Sequence, residues 1–285
     1  MHTIVEELAA PLINSFCESG AADLVTDYAR PLVVAVLNQM MGCPPEIGAR
    51  ITAGMAARFD TVHTAEAMTQ LRTALTELIE LKRDRPGDDA TSRLLAHPHG
   101  LDHAEVLAQL MTFYGAGGEA QPNLITNTLL LMMTDERFGG GLLGGSLSTR
   151  DALDEVLFHD PPMANFCTTY PRTPILVGQT WLPAHQPVLI SLAAANTDPT
   201  VTAGDLTGNR SHLAWSAGPH ACPARSTGPW PHYRSPSARP RRCLAPIRHR
   251  GHGGDREFPG GPPTHHPRPH PPPDRARRCT NRLPP

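Results

Sequence analysis

The sequence predicts a mainly α-helical protein with a small β region. Apolar residues recur at three- and four-residue spacing up to about Phe158, and Gly or Pro separates these periodic segments. From Pro161 the texture changes to short apolar runs between turn residues. The period places helices near residues 3–18, 24–41, 45–59, 64–83, 103–134 and 148–158. The fifth is the longest: about 30 residues at a rise of about 1.5 Å span roughly 45 Å, enough to cross a large domain as its axis. Thr173-Pro-Ile-Leu-Val and Pro187-Val-Leu-Ile-Ser, punctuated by Gly178 and Pro183, read as short strands of a small sheet.

Length and composition allow one large domain or two small ones, since 285 residues at 40% hydrophobic content fill a core. The formal charge of −2 hides an asymmetry, because residues 227–285 carry twelve arginines against three acids. Residues 1–226 therefore hold 13 basic and 24 acidic side chains, a net charge of −11. An acidic body of this kind argues against a nucleic-acid partner. Six cysteines without a Cys-x-x-Cys pair indicate neither a zinc knuckle nor a compact disulfide framework, and a reducing, cytoplasmic setting is expected. The N-terminus places Glu6 and Glu7 where a secretory signal has an apolar run. The most apolar stretch, Val106 to Met133, is interrupted by Gly115, Gly117, Gly118, Glu119 and Pro122, so no membrane span is expected.

Beyond Ser226 no apolar period survives. Residues 227–285 are expected to be a disordered Pro/Arg-rich tail, since such a composition cannot offset about 1–2 kcal/mol of backbone entropy per residue. Three origins fit: a natural extension, an arginine-rich nucleic-acid arm, or translation of a GC-rich gene in the wrong frame. Fifteen prolines and few aromatics argue against a stacking platform for bases. The break falls within a few residues of the strongest motif, which favours the frame error.

That motif is Asn209-Arg-Ser-His-Leu-Ala-Trp-Ser-Ala-Gly-Pro-His-Ala-Cys-Pro-Ala-Arg, a turn-rich loop with one cysteine between His220 and Arg225. A thiolate ligand needs surroundings that stabilise negative charge, and nearby cations, loop amides or a following helix N-terminus supply them. Glycine at 218 lets the backbone pass close to a flat macrocycle. A buried structural cysteine in a turn fits the same residues, and their chemistry does not choose between the two. His97-Pro-His99 and His265-His266 lack a carboxylate or cysteine at a useful spacing for metal, and no Gly-rich phosphate loop or Gly-x-Ser-x-Gly elbow is present.

The loop resembles the haem-binding signature of the cytochrome P450 family, Phe-x-x-Gly-x-(Arg/His)-x-Cys-x-Gly, with Gly218, His220 and Cys222 in register. Trp215 stands for the Phe and Ala224 for the last Gly. Asn209-Arg-x-His-Leu-Ala before it resembles the bacterial pattern. So do Leu182-Pro-Ala-x-x-Pro-Val-Leu-Ile-Ser-Leu-Ala-Ala-Ala-Asn-x-Asp-Pro, Asp23-Leu-Val-x-Asp-Tyr-Ala-x-Pro-Leu and Met41-Gly-Cys-Pro. The resemblance covers roughly residues 20–226 and implies a partial cytochrome P450 fold. It implies haem b held with Cys222 as the iron ligand, and His212 and His220 as bonding partners of the propionates. The domain expectation is an incomplete haem domain over 1–226 followed by the tail over 227–285.

Three departures bear on activity. The family's Glu-x-x-Arg motif falls on Glu155-Val-Leu-Phe158, so the arginine is a phenylalanine and Glu155 is expected to find another partner, Arg172 or Arg210, or to lie outside the core. In the long helix, Ala116-Gly-Gly-Glu-Ala-Gln resembles the oxygen-binding Ala-Gly-x-(Asp/Glu)-Thr. Glu119 fills the acid position, but Ala120 replaces the threonine that helps deliver protons, and Gln121 is a poor substitute. Pro122 lacks an N–H, so the helix is expected to open at the Gly118 carbonyl. The resemblance also breaks off at both ends, and Thr227-Gly-Pro-Trp-Pro stops any helix that would back the thiolate.

The resemblance thus implies a haem-thiolate protein whose family activity is monooxygenation of a small organic substrate, with redox partners such as a ferredoxin and its reductase. The altered positions 120 and 158 leave the activity of this chain open. The alternative is a non-catalytic haem-binding or interaction protein. Asn165-Phe-Cys-Thr-Thr-Tyr-Pro, with the altered positions, also resembles divergent P450-like proteins that accompany small GTPases in actinomycete gene clusters.

Overall fold

The computed structural model describes residues 2–57, 64–139, 147–166, 168–200, 209–218 and 221–222. The expectations for the 227–285 tail and for His220 fall outside these residues. All described residues belong to one unit, Met1–His249; the second unit, Arg250–Pro285, is outside them.

The helices follow the apolar period closely. They are α1 (His2–Cys17), α2 (Arg30–Met41), α3 (Pro45–Ala57), α4 (Thr64–Asp84), α5 (Ala90–Leu95), α6 (His103–Thr134), α7 (Glu136–Gly139), α8 (Thr149–His159) and α9 (Leu192–Asn196). A π-helical turn, Leu24–Ala29, leads into α2, and the Asp23 carboxylate starts it by accepting from the Val25 and Thr26 N–H groups. The expected 24–41 helix is therefore two pieces in one run. The short helices α5, α7 and α9 were not expected, because six residues or fewer carry too little period to register.

The main core lies where α3, α4 and α6 meet, built on Ile47, Ile51, Leu71, Leu75, Leu78, Ile79, Val106 and Leu110. Gly54 lets α3 and α4 approach, since a Cβ there would stand 2.8 Å from that of Leu71. Gly42 ends α2 at φ +59, a left-handed cap that L side chains avoid. Beneath that corner the buried Asp89 pairs with Lys82 at 2.8 Å. Burial alone would raise the Asp89 carboxyl, but hydrogen bonds from Lys82 and Ser92 outweigh it and hold the group below the usual carboxylate range.

Helix α6 begins at a reciprocal cap, with Asp102 accepting from the Glu105 N–H and Glu105 accepting from the Asp102 N–H. Its 32 residues run unbroken through the buried Pro122, so the expected opening at Gly118 does not interrupt the helix. One missing bond is a local loss that the flanking turns absorb when both are packed. Past the main core, α6 presents Leu124 to Val156 and Leu157 of α8, and Met132 to Phe138 and Ala152, in two smaller apolar clusters.

The β region is two antiparallel pairs. β1 (Thr168–Thr169) pairs with β4 (Val188–Leu189), and β2 (Ile175–Val177) with β3 (Thr180–Leu182) around Gly178 at φ +60. The two expected strands thus appear as β2 and β4, each shorter than its apolar run, and each is paired with a strand that the pattern did not mark. No described helix is long and apolar enough to cross a membrane.

Candidate functional site

The Cys222 loop is a sequence of tight turns seated against α8. Leu213, Ala214 and Trp215 enter it, Ser216 takes φ +60 and donates its N–H to the Leu213 carbonyl at 2.7 Å, and Gly218 takes φ +75. The Ala221 N–H donates to the Gly218 carbonyl at 3.1 Å. The Cys222 N–H donates back to the Trp215 carbonyl at 2.8 Å, which closes the loop and leaves the cysteine half-buried. Ala214 and Trp215 pack on the cluster of Leu124, Val156 and Leu157. This closure brings together three of the predicted residues, Trp215, Gly218 and Cys222.

Three ties hold the start of the loop to α8. His212 is buried and meets the Phe158 ring edge to face, with centroids 5.4 Å apart. Asn196 of α9 bridges: its amide donates to the Leu157 carbonyl at 3.0 Å and its oxygen accepts the Leu213 N–H at 2.6 Å. Arg210 donates to the carboxylate of Asp154 at 3.0 Å, and Arg150 reaches the same carboxylate at 3.2 Å. Asp154 is only 3% exposed, so this is a buried acid between two arginines.

Glu155 is a different case from the one its motif position suggests. Its partner is neither Arg172 nor Arg210 but Arg137, at 2.7 Å, and the pair lies toward the surface. Residues adjacent on a helix point about 100° apart, so Asp154 faces inward where Glu155 faces out. Sequence reasoning passed over Asp154. The available signal was the Arg150–Asp154 spacing of four, which places both on one helix face.

On α6, Glu119 pairs with Arg30 at the start of α2, at 3.2 Å, with both side chains partly exposed. Its carboxylate thus has a cation beside it. Ala120 beside it offers no hydroxyl. Gly117 lies close to Leu37, whereas a Cβ at Gly118 would meet nothing within 4 Å, so the helix keeps an open flank there. A separate groove of about 230 Å³ between α6 and α8 is lined by Asn127, Leu131, Glu155 and His159 among others and by none of the predicted site residues. It marks a surface cleft along the seam of α6 and α8.

These residues fit a haem held through sulfur. The donor is one soft, half-buried thiol, and the loop beside it is open, since a Cβ at Gly218 would meet nothing within 4 Å. No group of three or more His, Cys, Asp or Glu residues suited to a bare metal ion occurs among the described residues.

No family model matches the chain. Individual relatives do. A putative cytochrome P450 133B1 from Xylella fastidiosa is 30% identical over 245 residues, covering 78% of this chain and 60% of the relative. The solved structure of CYP154A1 from Streptomyces coelicolor A3(2) superposes with a TM-score of 0.66 at 28% identity, covering 76% of this chain and 59% of that one. Both are cytochrome P450s, and the chain shares their fold over about three quarters of its length. A 2-hydroxy-5-methyl-1-naphthoate 7-hydroxylase from Streptomyces carzinostaticus is 27% identical, over 78% of this chain and 58% of the hydroxylase. The chain therefore spans about three fifths of the length of these relatives. The mainly helical P450 fold is present, and the likeness to P450s implies a haem cofactor.

Proposed function

We propose that the chain binds haem b through Cys222 and that its function is of the P450 monooxygenase type. The observation that carries this reading is the Cys222 loop itself, closed by the Trp215 carbonyl, opened by Gly218 and seated on α8. When bound, the haem would supply oxygen-activating chemistry at its iron. The chain's own residues orient it: Cys222 offers the thiolate, Gly218 gives the backbone room to approach, and His212, with His220, is placed in sequence to meet the propionates. Relatives named for hydroxylating a naphthoate and vitamin D(3) support a small organic substrate. Electrons would come from a ferredoxin and its reductase or an equivalent pair.

A second reading is favoured by the oxygen-side residues. Ala120 has no hydroxyl to pass on a proton and Glu119 is paired with Arg30, so neither of the two positions where the family pattern puts a proton relay offers a free one. Haem binding without efficient oxygenation follows from that pair of features. Nothing in the fold or among the relatives named supports an association with small GTPases.

Haem titration tests both. The chain should give the thiolate-type absorption of a reduced carbon monoxide complex, and Cys222→Ser should abolish it. Equal haem binding and an unchanged spectrum after Cys222→Ser would remove Cys222 as the ligand. A thiolate spectrum without product from any supplied substrate would favour the second reading.

A further inference from the structure

We propose that Arg210 and Asp154 are positioning residues that fix the Cys222 loop on α8, a role distinct from that of Arg150 on the same carboxylate; the proposal rests on Cys222 being the ligand. The loop from His212 to Cys222 is held internally by turns, with Ser216 bonded to Leu213, Ala221 to Gly218 and Cys222 to Trp215. Internal bonds give it shape but no position. Its position comes from what joins it to the helices, and the charged member of that set is Arg210.

Asp154 sits 3% exposed on α8, so a carboxylate there is costly to leave without a partner. Two cations reach it. Arg150 comes from the preceding turn of the same helix and neutralises the charge whether or not the loop is docked. Arg210 comes from 56 residues further along the chain, two residues before His212, and can reach Asp154 only when the loop lies on α8. The pairing of Arg210 with Asp154 is therefore coupled to loop docking, and that of Arg150 is not. The position of this clamp also accounts for Phe158: its ring covers His212 beside the clamp, where the helix motif of the family would place a second arginine.

The test uses the full chain and reads the alkylation rate of Cys222 by iodoacetamide, mapped by peptide mass spectrometry. Loop opening exposes the thiol, so the rate follows docking. Arg210→Ala should raise it on the order of fivefold, Arg210→Lys should recover most of the protection, and Arg150→Ala should leave the rate within about twofold. Equal effects of Arg150→Ala and Arg210→Ala, or no effect of either, would overturn the proposal, since the pair would then act only as charge balance. Circular dichroism identifies any variant that has lost its helices; if Arg210→Ala has, Arg210→Gln, which removes the charge but keeps most of the side chain, takes its place in the comparison with Arg150→Ala. Haem added to the same variants should shift the reduced carbon monoxide spectrum away from the thiolate type in Arg210→Ala alone. If alkylation separates the two arginines but no variant, nor the parent chain, shows a thiolate spectrum, the clamp stands and the ligand reading falls.

Discussion

Phe158 and His212 meet edge to face, with ring planes at 84° and both side chains buried beneath the Cys222 loop. A phenylalanine where the family motif places an arginine is thus an integrated part of this site. Phe158→Ala should destabilise the chain by about 3–5 kcal/mol, the range for an aromatic removed from a packed site. Phe158→Arg should be no less harmful, because Glu155 points to Arg137 and offers the new cation no buried partner. Urea denaturation of the two variants measures this, and a more stable Phe158→Arg chain would contradict the packing.

The neighbouring acids of α8 should behave in opposite ways. Asp154→Ala removes a buried carboxylate that accepts from two partly exposed arginines and should cost about 1.5–3 kcal/mol, the range for a lost charged hydrogen bond. Glu155→Ala removes a pair near the surface and should leave the denaturation midpoint nearly unchanged. Similar losses at both positions would show that the motif glutamate still has a core role.

Stability should fall in acid in part through Asp89. Its carboxyl is held below the ordinary range in the folded chain, so the folded state binds protons less readily there than the unfolded state. Its contribution is present above the unfolded carboxylate pKa and is lost as pH falls through the lower folded value. Asp89→Asn should therefore lower the urea midpoint at neutral pH, and the gap from the parent should narrow in strong acid. A gap independent of pH would mean that the Lys82 pairing is not its source.

Gly42 should tolerate no side chain. At φ +59, with Asp89 and Lys82 crowding the position of a Cβ, Gly42→Ala should cost more than the about 1–2 kcal/mol of the left-handed backbone alone. Thermal melting compares it with Gly100→Ala, a left-handed glycine in open space, where only the backbone cost applies.

For the oxygen side, Ala120→Thr should lower the peroxide released per reducing equivalent in a haem-loaded, reductant-driven chain, because a hydroxyl returns beside Glu119. Unchanged release would place proton delivery elsewhere or leave the chain without turnover.

Long helices were legible because their apolar period was sustained: α4 and α6 begin at the expected residues and end within one residue of the expected ends. The Cys222 loop was legible because its turn residues and cysteine are local in sequence. The partners of α8 were not. Arg210, which with Arg172 was one of two candidate cations for a Glu155 that could also lie outside the core, instead serves Asp154, one residue away and on another face, and only the three-dimensional docking of the loop decides which acid it meets. The Arg30–Glu119 pair, 89 residues apart in sequence, was invisible for the same reason.

Helix α6 is packed at one end into a core of thirteen buried residues and at the other into two clusters of three. Helix α8, with the cysteine loop on it, reaches the rest of the helices chiefly through α6. The described helices thus pack in two unequal regions along α6, and these need not melt together. Backbone amides of α8 should exchange with deuterium sooner than those of α4. The Cys222 loop would then be the last part to become rigid, and on the proposed reading a haem that binds only the docked loop would itself complete the folding of the smaller region.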